Sequence, residues 1–359
     1  MASRQLGAED GARSIRRSKT KRNSVIDVLS DGRQGVTMAD GSQYVGSWQD
    51  GKFHGQGELV TADGTRYKGS FENGKFHGVG VLETKAGSYQ GSLQNNRMHG
   101  LGKFVAKDGS SYVGNYVNGE KSGSGELTSP DGSVYNGEFK ADMKHGQGKL
   151  VAADKSVYEG EWRSNKKHGE GTITFTNGTT YTGGWEDDVF HGMGTLKRPD
   201  SVYQGSFVKG VVEGRGVLKA ANGEQYEGEF KNNKPSGKGT MVYAEGVGKY
   251  TGGFLNGLRE GAGEFHCTDP HYVEFSYTGE WKNDVRHGTG TLTFPDGFSF
   301  RGTFENGRPI SGTFRKGDLT KEYQDDPKFH KFLGPTSNPA GWEMALLKIM
   351  QHWHQTASS

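Results

Sequence analysis

Aromatic side chains in this chain stand four residues apart with a glycine midway between them, and the arrangement returns at a fixed interval. Tyr44-Val45-Gly46-Ser47-Trp48 recurs as Tyr158-Glu159-Gly160-Glu161-Trp162 and as Tyr277-Thr278-Gly279-Glu280-Trp281. Alternation of period two places Tyr44, Gly46 and Trp48 on one face of a strand. A second short alternating stretch follows each time, as Gly55-Gln56-Gly57-Glu58-Leu59 follows the first. Between such stretches fall Asp50-Gly51, Asp63-Gly64, Asn73-Gly74, Asn118-Gly119, Asp131-Gly132, Asn177-Gly178 and Asp296-Gly297. Asn-Gly and Asp-Gly pairs signal tight turns, which need positive φ. Each block therefore reads as a β-hairpin.

Twelve openings are found, at Tyr44, Tyr67, Tyr89, Tyr112, Tyr135, Tyr158, Tyr181, Tyr203, Tyr226, Tyr250, Tyr277 and Phe300. They are spaced by 22 to 24 residues, apart from one step of 27 around Pro270. A fixed period in this range marks a linear repeat array, in which each unit leans on its neighbours. The expected fold is all-β: an elongated, single-layer, twisted antiparallel sheet of about 24 strands, roughly 115 Å long at about 4.8 Å per strand. One face would be an aromatic groove. The other would carry polar positions such as Ser47, Gln49, Lys68, Ser70 and Glu72. Glycine inside a strand costs about 0.5–1 kcal/mol relative to alanine. Its presence at every step is explained if it makes room for an aromatic ring, read here as one from an adjoining strand.

These residues resemble the MORN repeat (membrane occupation and recognition nexus), with its Tyr-x-Gly-x-Trp/Phe, Asn/Asp-Gly and His-Gly-x-Gly elements. The resemblance covers about residues 44–314. His gives way to Ser122, Glu213, Ser236, Glu260 and Ser311, and Leu93 replaces one second aromatic. The resemblance implies a non-enzymatic scaffold that holds helical or extended protein segments. The groove residues expected to do so are Tyr44, Trp48, Tyr67, Phe71, Tyr135, Phe139, Tyr158, Trp162, Tyr181, Trp185, Tyr277 and Trp281. It also implies a cytoplasmic setting at the cytoskeleton, at a cilium or flagellum, or on the cytoplasmic face of the plasma membrane. The alternative is a module that recruits phospholipid or phosphoinositide. MORN chains that carry a kinase or methyltransferase domain need far more than the roughly 45 residues that follow the array here.

The chain is expected to divide into a basic disordered tail (1–23), a degenerate half-repeat serving as an N-cap (24–43), twelve repeats (44–316), a linker (317–340) and an amphipathic helix (341–355). The half-repeat would blunt an otherwise open sheet edge. Trp342, Leu346, Ile349 and Trp353 share one helical face. That helix either caps the last repeat or docks in the groove of another copy, giving a homodimer. Arg16, Arg17, Lys19, Lys21 and Arg22 form a basic run. It reads as a solvated tail, as a contact for anionic lipid or another acidic surface, or as a nuclear address. Phosphorylation at Ser18, Thr20 or Ser24 would weaken an anionic contact.

Composition changes this picture little. Apolar residues are only 31% of the chain, but aromatics reach 11% and hold a fixed phase, which a disordered chain would not show. Net charge is +2, and the basic residues gather at the N-terminus, so the array lacks the basic stripe of a nucleic-acid binder. The lone Cys267 fits a reducing compartment. No apolar signal segment opens the chain, and Ala2 argues against myristoylation. His54, His77, His99, His145, His168, His191 and His287 recur at one phase, yet successive members would lie two strands apart, about 9–10 Å, too far to share an ion. They are expected to hydrogen-bond nearby backbone. His266, Cys267, Asp269 and His271 cluster in the long repeat without the paired spacing of a zinc site. Phosphate-loop and nucleophile-elbow signatures are lacking, so no catalytic residue, metal, cofactor or small-molecule substrate is expected.

Overall fold

The computed structural model describes residues 16–19, 25–28, 34–271 and 274–325. Among these the only regular element other than a strand is one 3-10 turn, Ala244–Gly246. The chain divides into two compact units, Met1–His168 and Gly169–Ser359. In each unit the strands follow one another as an open antiparallel meander. In the first, Arg16–Lys19 pairs with Val25–Val28, that with Gln34–Thr37, and so on through Gln43–Gln49 and Lys52–Val60 to Val157–Arg163. In the second, the meander runs from Thr180–Glu186 to Leu319–Gln324.

Register follows the alternation. Tyr44 faces Leu59 and Gly46 faces Gly57, and on the far side of that second strand Leu59 faces Tyr67 and Gly57 faces Gly69. Tyrosines and glycines thus form two parallel rows across the sheet. The twelfth unit keeps the pattern, with Phe300 opposite Phe314 and Gly302 opposite Gly312.

A single layer has no second layer to cover its apolar face, yet Tyr44, Tyr181, Tyr250 and Tyr277 are 0% exposed. The glycine rows explain this. Each tyrosine ring lies over the glycine pair of its own hairpin: a Cβ built on Gly57 would lie 2.6 Å from the Tyr44 hydroxyl. The ring that needs the glycine therefore comes from two residues earlier on the same strand, not from an adjoining one as expected. Most tyrosines are also held edge-on between two second aromatics; Tyr67 and Tyr89, beside Leu93, meet one each. Tyr112 meets Tyr116 at 5.1 Å and 85°, and Phe139 of the next repeat at 5.0 Å and 82°. Such pairs contribute about 0.5–1.5 kcal/mol beyond area burial.

Two kinds of turn alternate where the sequence shows one signal. Inside a hairpin both turn residues have positive φ, as at Asp50 (51°) and Gly51 (70°), the form that matches strand twist. Between hairpins an Asp or Asn accepts from the backbone two residues on. Asp63 Oδ1 takes the N–H of Thr65 at 3.1 Å, and only Gly64 between them has positive φ. The hairpin turns are tied together as well. Gly74 N–H donates to the carbonyl of Phe53 one repeat earlier at 2.9 Å. Where the second turn residue is Asn or Asp, its side chain adds a bond, as Asn96 Oδ1 accepts from Phe76 N–H at 2.7 Å.

At the ends the structure differs from the sequence reading. Arg16–Lys19, placed in the tail, is a strand. Leu319–Gln324, placed in the linker, is a strand that pairs with Arg308–Lys316. Tyr323 there sets its ring 5.8 Å from Phe300 and 5.5 Å from Phe314, covering the last repeat. The helix expected over 341–355, with Trp342, Leu346, Ile349 and Trp353, lies outside the described residues.

Candidate functional site

Within each unit, nearly all the groove residues expected from sequence are packed interior. Tyr67, Tyr135 and Tyr158 are as buried as Tyr44, and Phe71, Phe139, Trp162, Trp185 and Trp281 are buried beside them. Trp48, in the first repeat, is half-buried. The tyrosine hydroxyl is satisfied locally: Tyr44 donates to Ser47 O, Tyr67 to Ser70 O and Tyr181 to Gly184 O, each at 2.8 Å. Burial pushes these phenols up, to about 12 for Tyr44, Tyr67, Tyr181 and Tyr277. Uncharged tyrosines locked on backbone carbonyls are poor acids, bases or ligands. They form a floor.

The surface over that floor is a column the sequence did not single out, the residue before each His position. In the first unit it reads Phe53, Phe76, Met98, Lys121, Lys144 and Lys167, all half-buried. Phe53 stacks on Tyr44 at 3.9 Å and Phe76 on Tyr67 at 4.0 Å. In the next repeats a cation takes that place. Lys121 Nζ stands 5.6 Å from the Tyr112 ring and Lys144 Nζ 5.1 Å from Tyr135. In the second unit the column holds Phe190, stacked on Tyr181 at 3.7 Å, then Val212 and Pro235, and then Arg259 and Arg286. Arg259 reaches the Trp281 ring at 4.1 Å and pairs with Asp284 at 3.2 Å. The signal in the sequence was variation, since the column changes chemistry while its neighbours keep theirs.

The His column does not make the backbone bonds expected of it. Nδ1 of His77, His99, His168, His191 and His287 is buried without a hydrogen bond. The near groups are carboxylates instead, Glu72 at 3.1 Å from His77 and Glu186 at 3.4 Å from His191, close in distance but poorly aligned. These histidines lie on the polar face, since His77 is paired with Ser70. Among the described residues no three His, Cys, Asp or Glu side chains gather as a metal site would require. His266, in the long repeat, bonds Ser276 at 2.8 Å, and Cys267 is buried. No helix among the described residues is long and apolar enough to cross a membrane. Of the basic run, Arg16, Arg17 and Lys19 belong to the first strand, and Lys21 and Arg22 lie outside the described residues.

Buried tyrosine floors, glycine rows and tied turns, repeated unit after unit, define a repeat scaffold. The MORN repeat pattern matches eleven consecutive stretches, from 44–66 to 277–299, well over half of the chain. The chain belongs to the MORN-repeat family. No curated protein matches it. Among solved structures, the wild-type TCP10 domain of Danio rerio CPAP, in complex with a peptide of Danio rerio STIL, is 12% identical with a TM-score of 0.33. That alignment covers 62% of this chain and 94% of that one. The TCP domain of Drosophila Melanogaster SAS-4 (dCPAP), in complex with a Proline Rich Motif of Ana2 (dSTIL), is 11% identical with a TM-score of 0.21, covering 63% and 94%. Likenesses this loose carry no argument about this chain.

Proposed function

We propose that this chain is a non-enzymatic scaffold that binds protein segments along its aromatic face and links cytoskeletal, ciliary or flagellar structures to partners or to membrane. The cellular setting comes from family membership. The binding face rests on one observation, the covering column. A repeated tyrosine floor supplies stiffness, and the single layer above it changes from Phe53 and Phe76 through Met98 to Lys121, Lys144 and Lys167. A partner lying across the repeats meets apolar contacts at one end of this unit and cations at the other, a gradient that fixes its direction. Segments in an extended or helical form would rest on this layer and leave the buried rings beneath it undisturbed.

Affinity capture from the native cell tests the reading. Phe53→Lys and Phe76→Lys give those repeats a cover that their neighbours already carry, so the fold is retained. The doubly substituted full chain should lose partners that the native chain captures. An unchanged set of partners would sink the groove reading. Sedimentation with phosphatidylserine vesicles, equal for both chains and accompanied by no captured protein, would favour the lipid module instead.

A further inference from the structure

The polar face carries a second repeated feature, at the His-Gly-x-Gly turn of each hairpin. In the second repeat Gly69 faces Gly80 and Ser70 faces His77, so Gly78 and Val79 are left over on that side. The fifth and eleventh repeats do the same, leaving out Gly146 with Gln147 and Gly288 with Thr289. The bulge glycine is left-handed in each, with φ of 62° at Gly78, 60° at Gly146 and 54° at Gly288. An N–H freed from the ladder beside a left-handed glycine forms a concavity that favours an anion.

At Glu138, Glu229 and Glu280 that concavity is filled from within the chain. Glu138 Oε1 accepts from Gln147 N–H at 3.1 Å, Glu229 Oε1 from Lys238 N–H at 3.4 Å, and Glu280 Oε1 from Thr289 N–H at 3.0 Å. Thr289 Oγ1 adds a bond to Glu280 at 2.9 Å. These bonds, with the charge of nearby His287, hold the Glu280 carboxyl below its ordinary value. In the first three repeats the same strand position is Ser47, Ser70 and Ser92. Each Ser side chain sits over the bulge glycine, with Ser70 Oγ 3.1 Å from a Cβ built on Gly78, and brings no carboxylate.

A separate feature falls on the same spots. The three most exposed large apolar residues among those described are Leu101 (68%), Val79 (67%) and Met193 (64%). All three occupy the x of His-Gly-x-Gly, in repeats whose preceding strand lacks the glutamate. In the repeats that hold it, x is Gln147, Glu170, Lys238 or Thr289, all polar or charged. Val113, 46% exposed, extends the apolar surface beside Leu101.

We infer that the bulges of the first three repeats are a docking site for an acidic, partly apolar extended segment of a partner protein, whose carboxylates enter the places that Glu138, Glu229 and Glu280 fill elsewhere. The observed occupant is a side-chain carboxylate, so the class of ligand is read from the molecule itself. Spacing agrees. Adjacent bulges lie two strands apart, about 9–10 Å, and one three-residue turn of an extended polyproline II segment, which returns every third side chain to the same face, spans about 9 Å. Acidic residues at every third position would meet Ser47, Ser70 and Ser92 in turn, with apolar residues between them on Val79 and Leu101. This site is on the opposite face from the covering column and stands or falls separately from it.

The test is fluorescence anisotropy of the full chain with a labelled peptide bearing Glu at every third position and Val or Leu between. Ser70→Glu with Ser92→Glu rebuilds the internal carboxylate that Glu138, Glu229 and Glu280 already supply, so the fold is preserved. It should weaken binding by roughly tenfold or more, the scale of lost charge-assisted bonds. Val79→Ser with Leu101→Ser, and replacement of the peptide's Glu by Gln, should each weaken it to a similar degree. Equal affinity for the native and the doubly glutamate-substituted chain would overturn the inference, as would no measurable peptide binding. Phosphatidylserine vesicles that bind in a substitution-sensitive way while the peptide does not would assign the bulges to a lipid surface instead.

Discussion

The hydroxyl of Tyr67 donates to the carbonyl of Ser70, three residues along the same strand, at 2.8 Å, and its ring covers Gly69 and Gly80 on the way. One side chain thus fixes the strand, its hairpin partner and the kink between them. Tyr67→Phe keeps the ring and removes the bond, and should cost about 1 kcal/mol. Gly80→Ala leaves the bond intact but puts a Cβ 2.6 Å from the Tyr67 hydroxyl, so the ring must lift. That change should cost more, about 1–3 kcal/mol or above. Urea titration of the two variants gives the order. A larger loss for Tyr67→Phe would show that the hydroxyl, not the fit over glycine, holds the ring.

The same tyrosines set an alkaline limit. Their folded pKa values are raised by burial, to about 12 at Tyr44, Tyr67, Tyr89 and Tyr112, from an ordinary value near 10.0. A folded pKa above the unfolded one means that this stability is fully present below about 10 and is lost as pH rises through about 12. Melting temperature should therefore stay level up to about pH 10 and fall steeply beyond it, with tyrosinate absorbance appearing only as circular dichroism is lost. Tyrosinate formed in a fully folded chain would contradict the burial argument.

Lys155 stands at φ 72°, in a turn between hairpins where Gly64, Gly109, Gly132 and Gly178 stand elsewhere. A side chain in the left-handed region costs about 1–2 kcal/mol, and glycine avoids that cost. The Asp154 turn is otherwise intact, with Oδ1 accepting from Ser156 N–H at 2.9 Å. Lys155→Gly should stabilise the first unit by about 1 kcal/mol, after the greater unfolded-chain entropy of glycine is subtracted. Thermal melting that shows no gain would mean that the lysine makes a compensating contact.

Much of this was legible in the sequence. Tyr44, Gly46 and Trp48 announced a strand by alternation, and Asn73-Gly74 announced a turn whose φ values only such residues reach easily. The pairing of aromatic with glycine also showed that rings must lie on backbone. Which ring lies on which glycine was not readable, because the strand pattern places Tyr44 near Gly46 and near the next strand alike. Asp50-Gly51 and Asp63-Gly64 look the same in sequence but build different turns, since only the register around them decides. Arg16–Lys19 and Leu319–Gln324 lack the glycine and aromatic rhythm and are recruited as strands by the edges they cover. The polar-face bulges were hidden for a related reason. Ser70 and Glu138 look like interchangeable surface residues until the bulge shows what a carboxylate does there.

Trp48 and Trp162 occupy the same place in different repeats and differ in one bond. Trp162 donates its indole N–H to Gly148 O in the preceding repeat at 3.1 Å, and its ring stands 5.2 Å from both Tyr135 and Tyr158. The indole nitrogen of Trp48 is buried and finds no acceptor among the described residues. Phenylalanine already fills this place at Phe71, Phe139 and Phe207, so the ring itself is replaceable. Trp162→Phe should cost about 1–2 kcal/mol, for the lost bond and the stranded carbonyl, whereas Trp48→Phe should be close to neutral. Trp162→Ala, which also empties the space between two tyrosines, should cost about 3–5 kcal/mol. Repeat arrays open locally, so the Trp162 losses should appear in hydrogen exchange as faster amides in the strands Met143–Val151 and Val157–Arg163 before others in the first unit. Equal costs for Trp48→Phe and Trp162→Phe would mean that the indole bond contributes nothing to holding one repeat against the next.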